Sequence, residues 1–212
     1  MSKFLAIDAR GASDTDAMSD YLETNIYKSL QQRFTMSPFF GAMARAPIVA
    51  PAAVAPDVVL ITGAGHGTPT SFQGFQGEAV FAIDAYNPDE VRGKIVHFLS
   101  CESALQLGPD LVAKGCLAYI GYDDNFVFDD VFGQSFFKCN GQILLGLADG
   151  LSVGDAVRKA QDLFNSTIND LMSEGTADSM AAAQRLRHNL LHLRSPLDGP
   201  QWGSSDARLT EK

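Results

Sequence analysis

Residues 58–67 read VVLITGAGHG, and residues 94–103 read KIVHFLSCES. Each segment contains a short run of Val, Ile or Leu, a pattern typical of a strand buried on both faces of a parallel sheet. His66 follows the first run and Cys101 follows the second. Reactive groups of open parallel α/β sheets gather at the carboxyl ends of the strands. The sequence therefore predicts that a general base and a thiol meet at one edge of a sheet.

The composition is that of an ordinary globular chain. The 212 residues are 46% hydrophobic and 19% charged, which fits one domain with a sizeable core. The net charge of −9 argues against nucleic-acid binding and leaves open a partner or substrate that carries Lys or Arg. Neither a membrane span nor a signal peptide is indicated. Three cysteines without a C-x-x-C pair favour reduced thiols and a cytoplasmic location.

Strands that alternate with helices predict a single doubly wound α/β domain over residues 1–212, with a mostly parallel sheet and helices on both faces. Besides the two runs, strands are expected at 3–8, 78–83 and 116–121, and helices at 14–33, 109–114, 126–149, 153–173 and 177–193. Residues 34–57 are rich in Ala and contain four prolines. Because repeated proline breaks helices, we expect a long, partly extended connection there that is regulatory or processed, with a candidate edge strand at 48–54.

Cys101 is the candidate nucleophile among the three cysteines. It lies beyond the apolar run and is followed by Glu102 and Ser103, a polar setting at the reactive edge. A Cys–His pair needs only these two side chains and backbone donors for acyl transfer. Cys116 begins a predicted buried strand and Cys139 lies in a predicted helix, so both are expected to be structural.

His66 is the candidate base because the glycines around it permit a sharp turn and the close approach of a peptide. His97 lies in the middle of a predicted strand and is expected to be a packed core residue. His188 and His192 are four residues apart on a predicted helix. Without a third ligand this pair indicates a polar helix face, and no metal site is predicted.

The same glycines allow a different interpretation. Residues 62–67 resemble the glycine-rich turn of short-chain dehydrogenases, with Asp84 in the position of a ribose-binding acid. That turn must open a helix whose N-terminus holds a pyrophosphate. Residues 68–74 have little helical character, and Pro69 replaces the last glycine. Binding of NAD(P) is therefore the third hypothesis, and the leading one requires no cofactor.

The ordered motifs resemble the caspase–hemoglobinase fold of cysteine peptidases (clan CD). In that clan one buried strand precedes His-Gly, and a second precedes a small residue and the catalytic Cys; here these dipeptides are His66-Gly67 and Ser100-Cys101. The chain is most similar to the separase-related CHAT domains and gingipain-like peptidases. Their LSACE(T/S)A motif corresponds to FLSCESA at 98–104, their GxSxxxALxxAQ to residues 150–161, and their YGDPxxRL to a degenerate form at 202–209.

The resemblance implies a role for each matching residue. Cys101 is the nucleophile, His66 assists its deprotonation and protonates the leaving amine, and the backbone N–H groups of Gly67 and Cys101 form the oxyanion hole. The acid that selects Arg or Lys at P1 in separase-like members corresponds to Asp123 or Asp124. A preference for Asp at P1 would instead need a basic pocket, for which Arg10 is the candidate.

The leading hypothesis is a cytoplasmic cysteine endopeptidase that cleaves after Arg or Lys and acts on a protein or peptide substrate. An activating partner or regulatory protein is compatible with the latency common in such enzymes. The second hypothesis is a catalytically silent caspase-like domain that serves as an interaction module.

Overall fold

The two reactive runs form neighbouring strands at the centre of a six-stranded sheet. In the computed structural model, which describes residues 1–211, β3 (Val58–Ala64) and β7 (Ile95–Leu99) pair in parallel from Leu60 opposite Ile95 to Ala64 opposite Leu99. Their carboxyl ends therefore reach the same edge of the sheet, as the sequence predicts.

The sheet contains four further strands, β1 (Lys3–Asp8), β2 (Thr35–Phe40), β8 (Ala118–Tyr122) and β9 (Leu193–Arg194). The strand order is β2-β1-β3-β7-β8-β9, and only β9 is antiparallel to its neighbour. The strands before β9 are joined through helical or irregular crossovers, as parallel pairing requires. This arrangement confirms the predicted mixed α/β fold with a mostly parallel central sheet.

Helices pack on both faces of the sheet. The first face carries α1 (Ser13–Tyr21), which continues as a π-helical segment (Leu22–Tyr27) and α2 (Lys28–Leu30). The same face also carries α5 (Gly133–Ala148), α6 (Val153–Glu174) and α7 (Ala177–His192). The opposite face carries α3 (Ala46–Ala53) and α4 (Leu107–Ala113). Strand β1 serves both cores, because Phe4 and Ala6 enter one and Leu5 and Ile7 enter the other. Two-sided burial explains why this strand is apolar without alternation. Within residues 1–211 no helix is long and apolar enough to cross a membrane.

A small antiparallel sheet extends the chain beyond β3. It consists of β4 (His66–Thr68), β5 (Ser71–Gln73) and β6 (Ala79–Ala82). Phe72 on β5 is fully buried, and its ring stacks on that of Phe98 with 4.0 Å between the centroids. This contact fixes the hairpin that carries His66 to the strand that precedes Cys101.

Residues 34–57 differ from the predicted extended connection. They form strand β2 and helix α3, and residues 48–53 are helical and residue 54 is a turn where an edge strand is expected. Pro38 lies on an edge strand and Pro47 lies in the first turn of α3, two positions at which a missing N–H is tolerated. The proline count was therefore misleading about secondary structure. Processing within this segment stays a prediction.

Helix α5 begins at Gly133 and not at residue 126. Residues 126–128 run along α7 instead, where the buried Asn189 side chain accepts a hydrogen bond from Val127 N–H (2.9 Å) and donates one to its carbonyl oxygen (2.7 Å). A carboxylate oxygen of Asp129 then accepts the N–H of Phe132 at 2.7 Å. Tertiary hydrogen bonds thus hold this segment open as a loop.

A buried carboxyl group makes the stability of this fold dependent on pH. Asp8 is fully buried at the end of β1, where it accepts hydrogen bonds from Tyr27 (2.9 Å) and from Ala64 N–H (3.0 Å). Burial raises its pKa from 3.8 to about 7. Between these values the folded protein retains a proton that the unfolded chain has lost, so the free energy of unfolding falls as the pH rises from 4 to 7.

Replacement of this carboxyl group, Asp8→Asn, is expected to remove most of that pH dependence. A pKa difference of this size changes the free energy of unfolding by about 4 kcal/mol across the pH range between the unfolded and folded pKa values of Asp8. Urea unfolding at pH 4 and pH 8 measures it, with the exposed Asp170→Asn as the control. An unchanged pH dependence in Asp8→Asn would contradict this assignment.

Candidate active site

The loop that carries His66 is tied to the end of the cysteine strand. Gly65 N–H donates to the carbonyl oxygen of Leu99 at 3.2 Å, and His66 and Gly67 then begin β4. The glycine at 67 leaves room for the backbone of the cysteine turn: a Cβ there would overlap the carbonyl oxygen of Cys101 and approach Ser100 Cβ at 3.1 Å. The structure therefore brings His66-Gly67 and Cys101 together by direct backbone contact.

The turn that begins at Cys101 is held by buried hydrogen bonds. The hydroxyl of Ser103 contacts that of Ser100 at 2.7 Å and accepts from the Tyr119 hydroxyl at 2.8 Å. Glu102 adopts a left-handed conformation (φ +54°), and its N–H donates to the carbonyl oxygen of Asp124 at 3.1 Å. The thiol thus lies on a turn braced by the loop after β8.

The thiol of Cys101 lies in an acidic environment. Burial raises its pKa, and the carboxylates of Glu102, Asp14 and Asp124 raise it further, whereas a hydrogen bond from the Phe126 N–H opposes them. A thiol with a raised pKa is protonated at neutral pH. The resting site therefore holds a neutral thiol, and a base must remove its proton before it can act as a nucleophile.

Two clefts flank this centre. The half-buried His66 lines one of about 410 Å³ together with Arg10, Thr15 and Phe75. The guanidinium of Arg10 in that cleft already pairs with Asp20 (2.9 Å) and Glu23 (2.7 Å).

The second cleft, of about 440 Å³, lies beside the start of α1. Asp14, Asp130, Phe126 and Phe128 line it. Asp14 is not among the site residues that the sequence predicts, whereas its carboxylate raises the pKa of the Cys101 thiol. The position of Asp14 in the sequence does indicate this role, because it follows the carboxyl end of β1, at the same edge of the sheet as the ends of β3 and β7.

The two acids proposed for substrate recognition have different surroundings in the loop after β8. Asp123 is largely buried, with 18% of its side chain exposed, and it binds Arg194 Nε at 2.6 Å and His192 Nδ1 at 2.9 Å. Asp124 is 42% exposed and lies 3.7 Å from His192 Nε2. The charge of Asp123 is therefore compensated within the protein, and Asp124 is the more accessible acid.

The remaining histidine and cysteines assigned to the core lie there. His97 is fully buried and contacts the Thr62 hydroxyl through Nδ1 at 3.1 Å, and burial lowers its pKa to about 4. Burial raises the pKa of Cys116 to about 12 and that of Cys139 to about 11. These side chains are structural, as predicted.

The glycines before His66 have a packing role. A Cβ on Gly63 would overlap the carbonyl oxygen of Ile7, and one on Gly65 would overlap that of Gln73. The chain after them forms β4, so the helix N-terminus that a pyrophosphate requires does not follow this turn. Sheet packing accounts for the glycine pattern that resembles a dehydrogenase turn.

No family model matches the chain, and no curated protein matches its sequence. Among solved structures the fold is similar to the crystal structure of the Arg-specific cysteine proteinase gingipain R (RGPB), with a TM-score of 0.56 and 11% sequence identity. The match covers 87% of this chain but only 44% of that protein, so the chain spans less than half of its length. At this identity the similarity establishes the fold, which is the one that the sequence motifs implied.

The acidic surroundings of Cys101 predict a slow thiol at neutral pH. The rate at which iodoacetamide alkylates Cys101 in the native protein is expected to rise with pH, because the thiolate is the reactive form. The midpoint of that rise is expected at a higher pH than for an unperturbed cysteine. Asp14→Asn is expected to lower the midpoint by removing one carboxylate. Mass spectrometry of the modified peptide checks both, with Cys101→Ala as the control. A midpoint below the ordinary value would contradict this electrostatic picture.

The contact at Gly67 predicts that any side chain there is destabilising. Gly67→Ala is expected to lower the free energy of unfolding by about 1–3 kcal/mol, as overpacking does elsewhere. Gly133→Ala is the matched control, because its Cβ would meet the nearest atom of Phe137 at an ordinary 3.6 Å. Equal stabilities of the two variants in urea unfolding would show that the backbone contact is not tight.

Proposed function

We propose that this chain is a cysteine peptidase in which Cys101 attacks a peptide carbonyl and His66 transfers the proton. The contact of Gly67 with the Cys101 carbonyl is the observation that carries the proposal. It holds the backbone next to His66 against that of Cys101 at the carboxyl edge of a parallel sheet, where α/β proteins bind ligands, and so supports a base and a thiol that work as a pair. The fold shared with a cysteine proteinase supports the same chemistry.

The reaction follows from these positions. His66 accepts the proton of the neutral thiol as the sulfur attacks the carbonyl carbon, and the carbonyl π electrons move to the oxygen. Gly67 N–H and Cys101 N–H donate to this oxyanion. When it collapses, the C–N bond breaks, and the imidazolium of His66 protonates the leaving amine. Water, deprotonated by His66, then hydrolyses the thioester and regenerates the thiol.

Negative charge around the centre supports a basic residue at P1. Asp14, Glu102 and Asp124 all act on the Cys101 thiol, so a Lys or Arg side chain bound nearby would compensate them. Asp14 and Asp130 line the open cleft on this side, and Arg185, the cation in the same cleft, is paired with Asp129 at 3.2 Å. We assign the principal contact to Asp14, with Asp124 as the second acid. Arg10 is already paired with two carboxylates, which disfavours it as a receptor for an acidic P1 residue.

The silent interaction module remains the second candidate. A thiol whose pKa is raised by burial and carboxylates has little thiolate at neutral pH, and a domain that uses its clefts only for binding has no need of one. The two functions differ in one observable: only the peptidase lets a substrate-like electrophile alkylate Cys101, with loss of chloride, in a reaction that requires His66.

A tagged Arg or Lys chloromethylketone is expected to label the wild-type chain and not Cys101→Ala. His66→Ala is expected to slow labelling about 10²–10⁴-fold, the usual contribution of a positioned acid or base. Asp14→Asn is expected to slow labelling by the basic probe and to speed labelling by iodoacetamide at neutral pH, because iodoacetamide has no side chain to recognise and the variant lacks one carboxylate that raises the pKa of the thiol. An Asp chloromethylketone serves as the probe of opposite charge.

Labelling that does not depend on His66, or no labelling while iodoacetamide still modifies Cys101, would favour the silent module. Faster labelling by the Asp probe than by the Arg probe would refute the basic P1 preference and leave the dyad intact.

A further inference from the structure

We propose that His188, His192 and Asp124 bind a transition-metal dication of the Zn²⁺ class. One ligand atom from each of these side chains lies within 4.8 Å of the others. All three residues are partly buried, and Asp124 and His192 have 42% and 32% of their side chains exposed, so an ion can enter from solvent.

The fold supplies the ligand that the sequence lacks. Residues four apart on a helix lie one above the other on the same face, and the rings of His188 and His192 on α7 are 4.5 Å apart between centroids. Asp124 reaches the pair from the loop after β8, more than sixty positions earlier in the chain. This loop is anchored to α7 by the two hydrogen bonds between Asn189 and Val127.

Hydrogen bonds already orient both imidazoles for ligation. A carboxylate oxygen of Asp123 accepts from His192 Nδ1 at 2.9 Å, which leaves the lone pair on Nε2, the atom 3.7 Å from Asp124. Asp123 is in turn fixed by Arg194 at 2.6 Å. A carboxylate behind a ligating histidine is the usual outer-shell arrangement of zinc sites.

His188 is held in a similar way. The carbonyl oxygen of Asn125 only accepts hydrogen bonds, so the contact of 3.0 Å with His188 Nε2 makes that nitrogen the donor. The lone pair of the neutral ring is then on Nδ1. Both rings are thus set in a tautomer with one nitrogen free for a metal, which distinguishes the cluster from a surface pair of histidines.

The donor set selects the kind of ion. Two imidazoles and one carboxylate match the three protein ligands of open zinc sites, in which water takes the fourth position. Mg²⁺ and Ca²⁺ prefer sets made of oxygen atoms alone. The bound ion would cross-link α7 to the loop that braces the Cys101 turn. Binding itself does not depend on the proposed peptidase activity.

Zinc affinity is measured on an untagged Cys101→Ala chain, so that the reactive thiol contributes nothing. Titration with Zn²⁺ at pH 7.5 in competition with a fluorescent chelator is expected to give one ion per chain. His188→Gln, His192→Gln and Asp124→Asn are each expected to weaken binding at least about tenfold, and Asp123→Asn about 10–100-fold through its hold on His192. Asp170→Asn, which removes an exposed carboxylate on α6, is the matched control and is expected to leave the affinity unchanged.

Thermal unfolding with and without Zn²⁺ gives a second readout, because an ion that binds the native state raises the melting temperature. The rise is expected in Cys101→Ala and Asp170→Asn and not in His188→Gln/His192→Gln, whose melting curve without metal also shows that it folds. Binding that survives in this double variant, or no stoichiometric binding in Cys101→Ala, would overturn the site. Since the chain tested lacks the nucleophile, neither result bears on whether the protein is a peptidase.

Discussion

The backbone of Gly67 lies against the carbonyl oxygen of Cys101, with no space for a side chain between them. This contact depends on the parallel register of β3 and β7, which brings both chain segments to one edge of the sheet. It also depends on the stacking of Phe72 on Phe98, which fixes the hairpin of His66 to the cysteine strand. Loss of either would weaken the link between the loop of His66 and the turn of Cys101, which the hydrogen bond from Gly65 N–H to the Leu99 carbonyl oxygen also supports.

The electrostatics around this contact favour a resting state over an active one. Carboxylates raise the pKa of a partly buried thiol, and Arg10, which lines the same cleft as His66, is itself paired with two acids. A positively charged substrate would compensate the carboxylates as it binds. Such an arrangement would couple recognition to activation, since the group that fills the acidic cleft also removes the repulsion that keeps the thiol protonated.

The loop after β8 links the candidate site to the rest of the fold. Its Asp124 carbonyl oxygen braces the Cys101 turn, its Phe126 N–H contacts the sulfur, and Val127 is held by Asn189 of α7. The irregular course of this loop therefore leaves its backbone groups available to the Cys101 turn. A helix starting at residue 126 would withdraw these backbone groups into its own hydrogen bonds.

The sequence by itself determined the buried strands β1, β3, β7 and β8 and pointed to His66 and Cys101 as candidates at their carboxyl ends, because buried parallel strands are short apolar runs whose pattern is local. It did not predict β2, β4, β5 or β9. It failed at residues 34–57, where Pro38 and Pro47 occupy positions that tolerate a missing N–H and α3 accommodates Pro51 in its interior, and at residues 126–132, where hydrogen bonds to α7 override helix formation. Only the tertiary structure placed the carboxylate of Asp14 where it raises the pKa of the thiol, paired Asp123 with Arg194, and brought Asp124 to His188 and His192. These groups are far apart in the chain, and their contacts depend on how the helices pack on the sheet, which no local pattern encodes.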